Sequence, residues 1–202
     1  MGKKILVTGG CGYIGSVLVP VLLDRGYQVC VFDKLYFGEE SLKGVRDKIE
    51  FIPGDVRNFD PAILDGIDGV IHLGSLSNDP TAAFDPDANR TINYEGTMKL
   101  ARACKERGIE RFTFASACAI YSFHMNGIAD ETFPVSPQSD YAQSKLDVDI
   151  ELPEMVDDMI LPCCSPPSHG LRVYAEDEVG HRDKCLCHAC LQDWQTRCVV
   201  WR

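Results

Sequence analysis

The stretch Thr8-Gly9-Gly10-Cys11-Gly12-Tyr13-Ile14-Gly15 decides the fold, because it comes directly after the apolar run Ile5-Leu6-Val7. This pattern predicts a short buried strand that turns on glycines into a helix beginning near Gly12. We expect Gly10 to permit the tight turn, Gly12 to let a pyrophosphate approach the backbone, and Gly15 to let the helix pack closely on the strand. A glycine-rich turn can also be an ordinary strand–helix joint. Here the strand before it and the amphipathic segment after it favour dinucleotide binding at the helix N-terminus.

The acidic residue Asp33 follows the next apolar run, about eighteen residues after Gly15. A carboxylate at this position hydrogen-bonds the hydroxyl groups of an adenosine ribose and repels a 2′-phosphate, so it favours NAD over NADP. The neighbouring Lys34 weakens that preference a little. The alternative is a solvated acid at a strand end, but the spacing from the glycine motif favours the ribose role.

The composition is that of an ordinary globular protein, with 45% hydrophobic and 25% charged residues in a chain of 202. The net charge of −10 argues against nucleic acid and against an anionic membrane surface as partners. The sequence contains no run of about 20 apolar residues, as a membrane span requires. It also begins without the long apolar region of a signal peptide. We therefore expect a cytoplasmic protein.

Strand-like and helix-like segments alternate from Lys3 to about Leu152, which predicts an α/β fold with a doubly wound parallel sheet. The predicted strands are Ile5–Val7, Gln28–Phe32, Glu50–Ile52, Gly69–Leu73 and Arg111–Ala115. The predicted helices are Gly12–Arg25, Pro61–Leu64, Asp87–Arg107 and Gln138–Glu151. The third of these helices has one apolar face, which we interpret as core packing, with a subunit interface as the alternative.

Three polar residues follow or lie within the predicted strands. Asp55 comes after the third strand, where it could accept a hydrogen bond from an adenine amino group or stabilise a turn. His72 lies inside the fourth strand, and we interpret it as a core residue rather than a catalyst. Ser77, in the loop that follows, could contact a substrate, because ligands bind at the carboxyl ends of such strands.

The pair Tyr141 and Lys145 carries the most chemistry. Residues four apart share one face of a helix, so the lysine ammonium lies one turn from the tyrosine phenol. Beside a positively charged nicotinamide, the lysine would favour the phenolate and lower the tyrosine pKa. Such a tyrosine can act as acid or base towards an alcohol while hydride moves to or from the cofactor.

Together these motifs resemble the extended short-chain dehydrogenase/reductase superfamily, and most of all its NAD-dependent nucleotide-sugar epimerases and dehydratases. The segments that carry the resemblance lie between residues 3 and 152 and include Thr8–Gly15, Asp33, Gly54-Asp55, His72-Leu73, Asn93–Thr97 and Tyr141-x-x-x-Lys145. The resemblance implies a Rossmann-type sheet, transient hydride transfer from a sugar to NAD, and a homodimer built partly from the third and fourth long helices. It implies Tyr141 as base and Lys145 as the residue that holds the nicotinamide ribose. The implied cofactor-binding residues are Gly9, Gly12, Tyr13, Ile14, Gly15, Asp33, Asp55, Val56, Leu73, Tyr141 and Lys145.

The chain departs from this family in two places. Ala117 stands where the family has a serine or threonine whose hydroxyl hydrogen-bonds the reacting oxygen. Ser116 is adjacent, but neighbouring side chains of an extended segment point to opposite faces. After about Asp158 the resemblance stops, before the expected C-terminal substrate domain. A non-catalytic NAD-binding remnant or interaction protein is therefore the alternative function.

The last fifty residues differ in composition, since they hold six of the ten cysteines and both tryptophans. The segment Cys185-Leu186-Cys187-His188-Ala189-Cys190, with His181 nearby, could bind zinc. The spacing of its cysteines is not a common one for that ion, and we expect no metal site. Reading the message one base later converts 181–201 into a family-like sequence, so we interpret the tail as a frameshift near residues 158–162. We accordingly predict an NAD-binding domain over 1–152 and an anomalous tail over 153–202. Without its next parallel neighbour, the fifth strand would then have an unpaired edge. The coding DNA around Asp158 tests this interpretation.

Overall fold

A computed structural model describes residues 2–121 and 133–155, together with the backbone of residues 199 and 200. Its sheet has the order β3-β2-β1-β4-β5-β6, in which the first five strands are parallel and β6 runs antiparallel to β5. The strands are β1 Lys4–Thr8, β2 Gln28–Asp33, β3 Glu50–Pro53, β4 Gly69–His72, β5 Arg111–Phe114 and β6 Val199–Val200. The predicted doubly wound parallel sheet of Rossmann type is confirmed. Its order reverses at β1, which is where such sheets bind ligands.

The edge of β5 differs from the expectation. Arg111 and Phe112 pair with Val200 and Val199, so a two-residue antiparallel strand takes the place where we expected an unpaired edge. The predicted tail therefore contributes backbone to the sheet. The cysteines and histidines of the tail that suggested zinc lie outside the described residues.

Helices cover both faces of the sheet. They are α1 Gly15–Asp24, α2 Asp79–Phe84, α3 Pro86–Asn89, α4 Thr97–Glu106 and α5 Asp140–Glu154, with short 3-10 segments at Glu40–Lys48, Val56–Asn58, Pro61–Leu64 and Cys118–Tyr121. The predicted helix over Asp87–Arg107 is α3 and α4 joined by the π-helical segment Arg90–Gly96. The first helix begins at Gly15 and not near Gly12, because the residues between them form the turn. No helix in the described part of the chain is long and apolar enough to cross a membrane.

The core is divided by the sheet, because successive strand side chains point to opposite faces. Ile5 and Val7 of β1 belong to one buried cluster, which also contains α1 residues such as Leu18. Leu6, between them, belongs to the other cluster, which is covered by α4 and α5. The predicted apolar face of the third helix lies in this second cluster, through Ile92, Leu100 and Ala103. The core-packing interpretation of that face is confirmed.

The glycine turn uses its glycines in an unexpected order. Gly9, and not Gly10, has the positive φ, of 69°, that favours glycine in a tight turn. Gly10 has no room for a side chain, since a Cβ there would lie 2.7 Å from Cγ1 of Val31 on the neighbouring strand. A Cβ on Gly15 would lie 2.3 Å from the Gly10 carbonyl oxygen. The prediction that Gly15 permits close packing of helix and strand is therefore supported, and the turn role given to Gly10 is wrong.

Replacing Gly15 with alanine should lower the free energy of unfolding by about 1–3 kcal/mol, because the clash is with backbone and the turn must shift. Urea unfolding of the purified protein measures this loss. Gly44→Ala is the matched control, since a Cβ at Gly44 meets nothing within 4 Å. Equal stability of the two variants would contradict the packing role of Gly15.

Candidate active site

A cavity of about 500 Å³ lies at the carboxyl ends of the central strands, where the sheet order reverses. This volume is typical of a small-molecule site. Eight of the predicted cofactor-binding residues are among the described residues that line it: Gly9, Gly12, Tyr13, Ile14, Asp33, Asp55, Val56 and Leu73. Ser77, proposed from the sequence as a substrate contact, lines it as well. Gly15 is buried under the turn, and Tyr141 and Lys145 lie on α5 rather than in this lining.

The backbone of the glycine turn is open to a ligand at Gly12. A Cβ placed there would have only the Gly9 carbonyl oxygen, at 3.2 Å, within 4 Å, while Gly12 itself lines the cavity. This space is what a pyrophosphate needs for close approach to the start of α1. The residues present therefore fit the phosphate-binding role predicted from the sequence.

Asp33 is fixed at the end of β2 by two backbone donors. The Cys11 N–H donates to Oδ2 at 2.9 Å, and the Leu35 N–H donates to Oδ1 at 2.7 Å. Each carboxylate oxygen can accept more than one hydrogen bond, so acceptor capacity remains on a side chain that lines the cavity. The glycine turn itself thus positions the carboxylate that we assign to the ribose.

Asp55, which lines the cavity, forms ion pairs with the two cations Lys34 and Arg57. Its carboxylate pairs with Lys34 Nζ and with Arg57 Nη2, the latter at 2.6 Å, and it accepts from the Arg57 N–H at 2.9 Å. These partners, Arg57 above all, hold the pKa of Asp55 well below its usual range. The turn-stabilising role of Asp55 is therefore present, while its adenine contact remains a prediction. Lys34 is thus held beside Asp55, but one carboxylate shared by two cations leaves a net positive charge there.

Tyr141 and Lys145 are placed by the first turns of α5. Ser139 caps this helix, since its Oγ accepts from the Ala142 N–H at 3.1 Å. Lys145 is buried, and its Nζ donates to the Ala115 carbonyl oxygen, just after β5, at 2.9 Å. The same Nζ lies 5.9 Å from the centroid of the Tyr141 ring. The predicted sharing of one helix face by the two side chains is confirmed.

In the chain by itself, the pKa of Tyr141 is raised above its usual value. Burial is the main cause of this rise to about 12, and Cys118 and Asp79 make smaller contributions to it. The expected lowering by Lys145 was for a phenol beside a positively charged nicotinamide, and it stays a prediction; in the chain by itself, burial of the phenol dominates.

The segment after β5 has no side-chain hydroxyl at position 117, which is Ala117. The hydroxyl of the preceding residue, Ser116, already has another hydrogen-bond partner. Ser116 Oγ donates to Asp149 Oδ2 on α5. The expectation that Ser116 does not replace the missing hydroxyl is thus supported by its partner. Cys118, one residue further on, has an exposed thiol and raises the Tyr141 pKa.

His72 is a satisfied core residue, as the sequence indicated. Its Nδ1 lies 2.5 Å from Thr8 Oγ1, and its Nε2 lies 2.8 Å from Thr97 Oγ1. Burial lowers its pKa to about 3, with a smaller contribution from the positive charge of Lys145. The imidazole is therefore neutral at physiological pH and bonded at both nitrogens.

Sequence reasoning missed two groups of residues in this region. Tyr36 and Phe37 line the cavity and are exposed, with Phe37 exposed over 91% of its surface. An aromatic pair three and four residues after the strand-end acid Asp33 was the signal that could have identified them. Asn89, which is buried beside α5, carries no sequence signal that separates it from a surface residue of a short helix. In the described part of the chain, no three His, Cys, Asp or Glu side chains are grouped as a metal site requires.

The strand order, the glycine turn and the position of Asp33 define a dinucleotide-binding domain of the Rossmann type. More narrowly, the chain belongs to the NAD dependent epimerase/dehydratase family, whose model matches residues 5–166. NAD is the cofactor of that family. The matched region extends into the tail predicted from the sequence, and α5 likewise continues to Glu154, past the predicted boundary at 152.

Individual relatives cover the same region. UDP-glucose 4-epimerase of Streptomyces lividans is 34% identical over 154 residues, which is 74% of this chain and 46% of that protein. A 3 beta-hydroxysteroid dehydrogenase/Delta 5→4-isomerase of Mycobacterium tuberculosis is 32% identical over 152 residues, 71% of this chain and 40% of that one. This chain spans about half the length, or less, of the curated relatives that it matches.

Two solved structures show the same fold. One is UDP-N-acetylglucosamine 4-epimerase of Methanobrevibacter ruminantium in complex with UDP-N-acetylmuramic acid, with a TM-score of 0.72 and 31% identity over 76% of this chain and 50% of that one. The other is UDP-glucose 4-epimerase of Thermus thermophilus in complex with NAD, with a TM-score of 0.68 and 32% identity over 75% of this chain and 50% of that one.

Proposed function

We propose that this chain binds NAD in the cavity at the sheet reversal and belongs to a nucleotide-sugar epimerase or dehydratase. The observation that carries the proposal is the assembly of eight predicted cofactor-binding residues around one cavity. Tyr141 and Lys145 stand at the neighbouring strand end. NAD-dependent epimerases that bind UDP-sugars are similar to this chain in both sequence and structure.

Each part of the cofactor has residues suited to it. Gly12 leaves room for the pyrophosphate, and Asp33 accepts from the adenosine ribose. Asp55 borders the adenine. Lys145, whose Nζ lies at the end of β5 through its bond to the Ala115 carbonyl oxygen, is the residue that we assign to the nicotinamide ribose. When bound, NAD supplies the hydride acceptor.

The protein's own contribution to the reaction is proton transfer. Tyr141 would take the proton of a sugar hydroxyl as hydride leaves the carbon that bears this hydroxyl for NAD, and would return the proton when hydride comes back to that carbon. Partial burial of the phenol raises the Tyr141 pKa to about 12, which opposes ionisation until the positively charged cofactor is present. The tyrosine thus becomes a competent base only with cofactor bound.

A nucleotide sugar is the proposed substrate, because the epimerases cited above act on UDP-sugars by name. The steroid dehydrogenase among the relatives makes a steroid alcohol the competing class. Turnover with a panel of UDP-sugars and 3-hydroxysteroids separates the two. Reduction of NAD by steroids alone would overturn the sugar assignment.

A second candidate is a protein that binds NAD without catalysis. The observation in its favour is the missing hydroxyl at Ala117, which Ser116 does not replace because it donates to Asp149. We also propose a cytoplasmic homodimer that uses α4 and α5. The exposed Ile150 on α5 is consistent with such an interface.

The chain should bind NAD more tightly than NADP, since the carboxylate of Asp33 repels a 2′-phosphate. Asp33→Ala should weaken NAD binding by roughly 1–3 kcal/mol, as the ribose hydroxyls lose their partner. Calorimetric titration with both cofactors measures these differences. Asp24→Ala, which changes an exposed acid at the far end of α1, should leave the affinity unchanged. Equal or tighter NADP binding would contradict the ribose assignment.

A further inference from the structure

Two buried asparagines lie between the cavity and α5. Asn89 is 2% exposed and Asn93 is fully buried. Asn93 Oδ1 accepts from the Leu76 N–H at 2.8 Å, and Asn93 Nδ2 donates to the Leu76 carbonyl oxygen at 2.9 Å. Leu76 belongs to the loop after β4 that lines the cavity. Asn93 therefore fixes the backbone of a cavity-lining loop from behind with two hydrogen bonds.

Asn89 extends this bonding to the helix that carries Tyr141. Its Oδ1 accepts from Asn93 Nδ2 at 2.7 Å, and its own Nδ2 donates to the Asp140 carbonyl oxygen at 3.0 Å. Asp140 directly precedes Tyr141. The side chain of Asn89 thus uses one donor and one acceptor to connect the Leu76 loop, through Asn93, with the first turn of α5.

A second branch of the network reaches the glycine turn. Thr97 Oγ1 donates to the Asn93 carbonyl oxygen at 2.7 Å, so towards His72 it accepts, and His72 carries its proton on Nε2. His72 Nδ1 then accepts from Thr8 Oγ1, which in turn accepts from the Gly74 N–H at 3.3 Å. Thr8 and Gly74 both line the cavity.

We infer that Asn89 is a positioning residue that couples the cofactor cavity to the orientation of Tyr141. The buried side-chain amide of Asn89 bonds both Asn93 and the Asp140 carbonyl oxygen. If either partner moved away, a buried polar group would be left without a hydrogen bond, so the amide holds both partners in place. A ligand that orders the Leu76 loop would then also order the start of α5. Ser139 Oγ, which donates to Asp79 at 2.6 Å, ties the same helix start to α2 and not to the cavity loop. The inference rests on the proposed function only for the identity of the ligand.

Asn89→Asp tests the coupling by changing one atom of the side chain. The aspartate still accepts from Asn93 but cannot donate to the Asp140 carbonyl oxygen. Hydrogen exchange of the amides of residues 141–145, followed by mass spectrometry, should accelerate roughly 5- to 100-fold, as expected for loss of a buried hydrogen bond. The amides of β1 should keep their wild-type rates. Asn78→Asp is the matched control, because it keeps its bond from the exposed Thr81 N–H.

NAD supplies the second measurement. In the wild-type protein, saturating NAD should slow exchange in both 74–78 and 141–145. In Asn89→Asp, the protection of 74–78 should persist while that of 141–145 is lost. If NAD protects neither segment in the wild type, the proposed cofactor is wrong, and exchange without NAD still tests the tie between Asn89 and α5.

Asn89→Ala serves as a second variant, because it places no charge in the interior should the aspartate prevent folding. It should also accelerate exchange selectively in 141–145. Wild-type exchange in that segment for both variants would overturn the inference. Equal acceleration in 141–145 and β1 would overturn it too, since it would show a general loss of stability in place of a specific tie.

Discussion

Tyr141→Phe should lower the rate of hydride transfer to NAD by roughly 10²–10⁴-fold, the usual loss when a general acid or base is removed. Affinity for NAD should stay within about twofold, because the described lining of the cavity does not include Tyr141. Single-turnover absorbance of the reduced cofactor measures the rate, and calorimetry measures the affinity. Tyr27→Phe is the matched control, since Tyr27 packs against the core on the α1 side of the sheet. An unchanged rate in Tyr141→Phe would exclude the proposed mechanism.

Ala117→Ser distinguishes a weakened catalyst from a non-catalytic protein. If the chain turns over substrate, a hydroxyl at position 117 should raise the rate by supplying the missing partner of the reacting oxygen. Ser116→Ala should have little effect, because Ser116 already donates to Asp149. NAD binding with no turnover in either the wild type or Ala117→Ser would instead favour the non-catalytic alternative.

The parallel sheet was predictable because its signal is local. Each central strand is a short apolar run between turn residues, as Ile5-Leu6-Val7 shows, and both faces of such a strand are buried. Helix α2 was missed because it has only six residues and depends on the Asn78 cap for its start. The π-helical segment Arg90–Gly96 was also missed; its Asn93 bonds the backbone of Leu76, which is 17 positions away in the sequence, so no local pattern announces that contact.

In the site, the position of the side chains along α5 could be predicted from the sequence, but their pKa values and ion pairs could not. The four-residue interval put Tyr141 and Lys145 on one face of α5, as helix geometry requires. The raised pKa of Tyr141 depends on how deeply the folded chain buries the phenol. Likewise, the pairing of Lys34 with Asp55 joins residues 21 positions apart, so no local pattern announces it.

Acid should destabilise this fold through His72. The buried imidazole has a pKa lowered to about 3, against about 6.5 in an unfolded chain. A depressed pKa in the folded state means that the stability is fully present above pH 6.5 and is lost as the pH falls towards 3. Between these values each pH unit should cost about 1.4 kcal/mol, so the free energy of unfolding should fall by about 2–3 kcal/mol from pH 6.5 to 4.5.

His72→Gln isolates this contribution, since glutamine keeps a donor and an acceptor but does not titrate. Urea unfolding at pH 7, 5.5 and 4.5 should show a lower stability for the variant at pH 7 but a flatter dependence on pH. Asp55, whose lowered pKa also makes acid destabilising, acts below about pH 4, outside this range. A wild-type stability that is constant from pH 7 to 4.5 would show that His72 takes up a proton as readily in the folded chain as in the unfolded chain. Such constancy would contradict the neutral, doubly bonded histidine on which the link between the glycine turn and Asn93 depends.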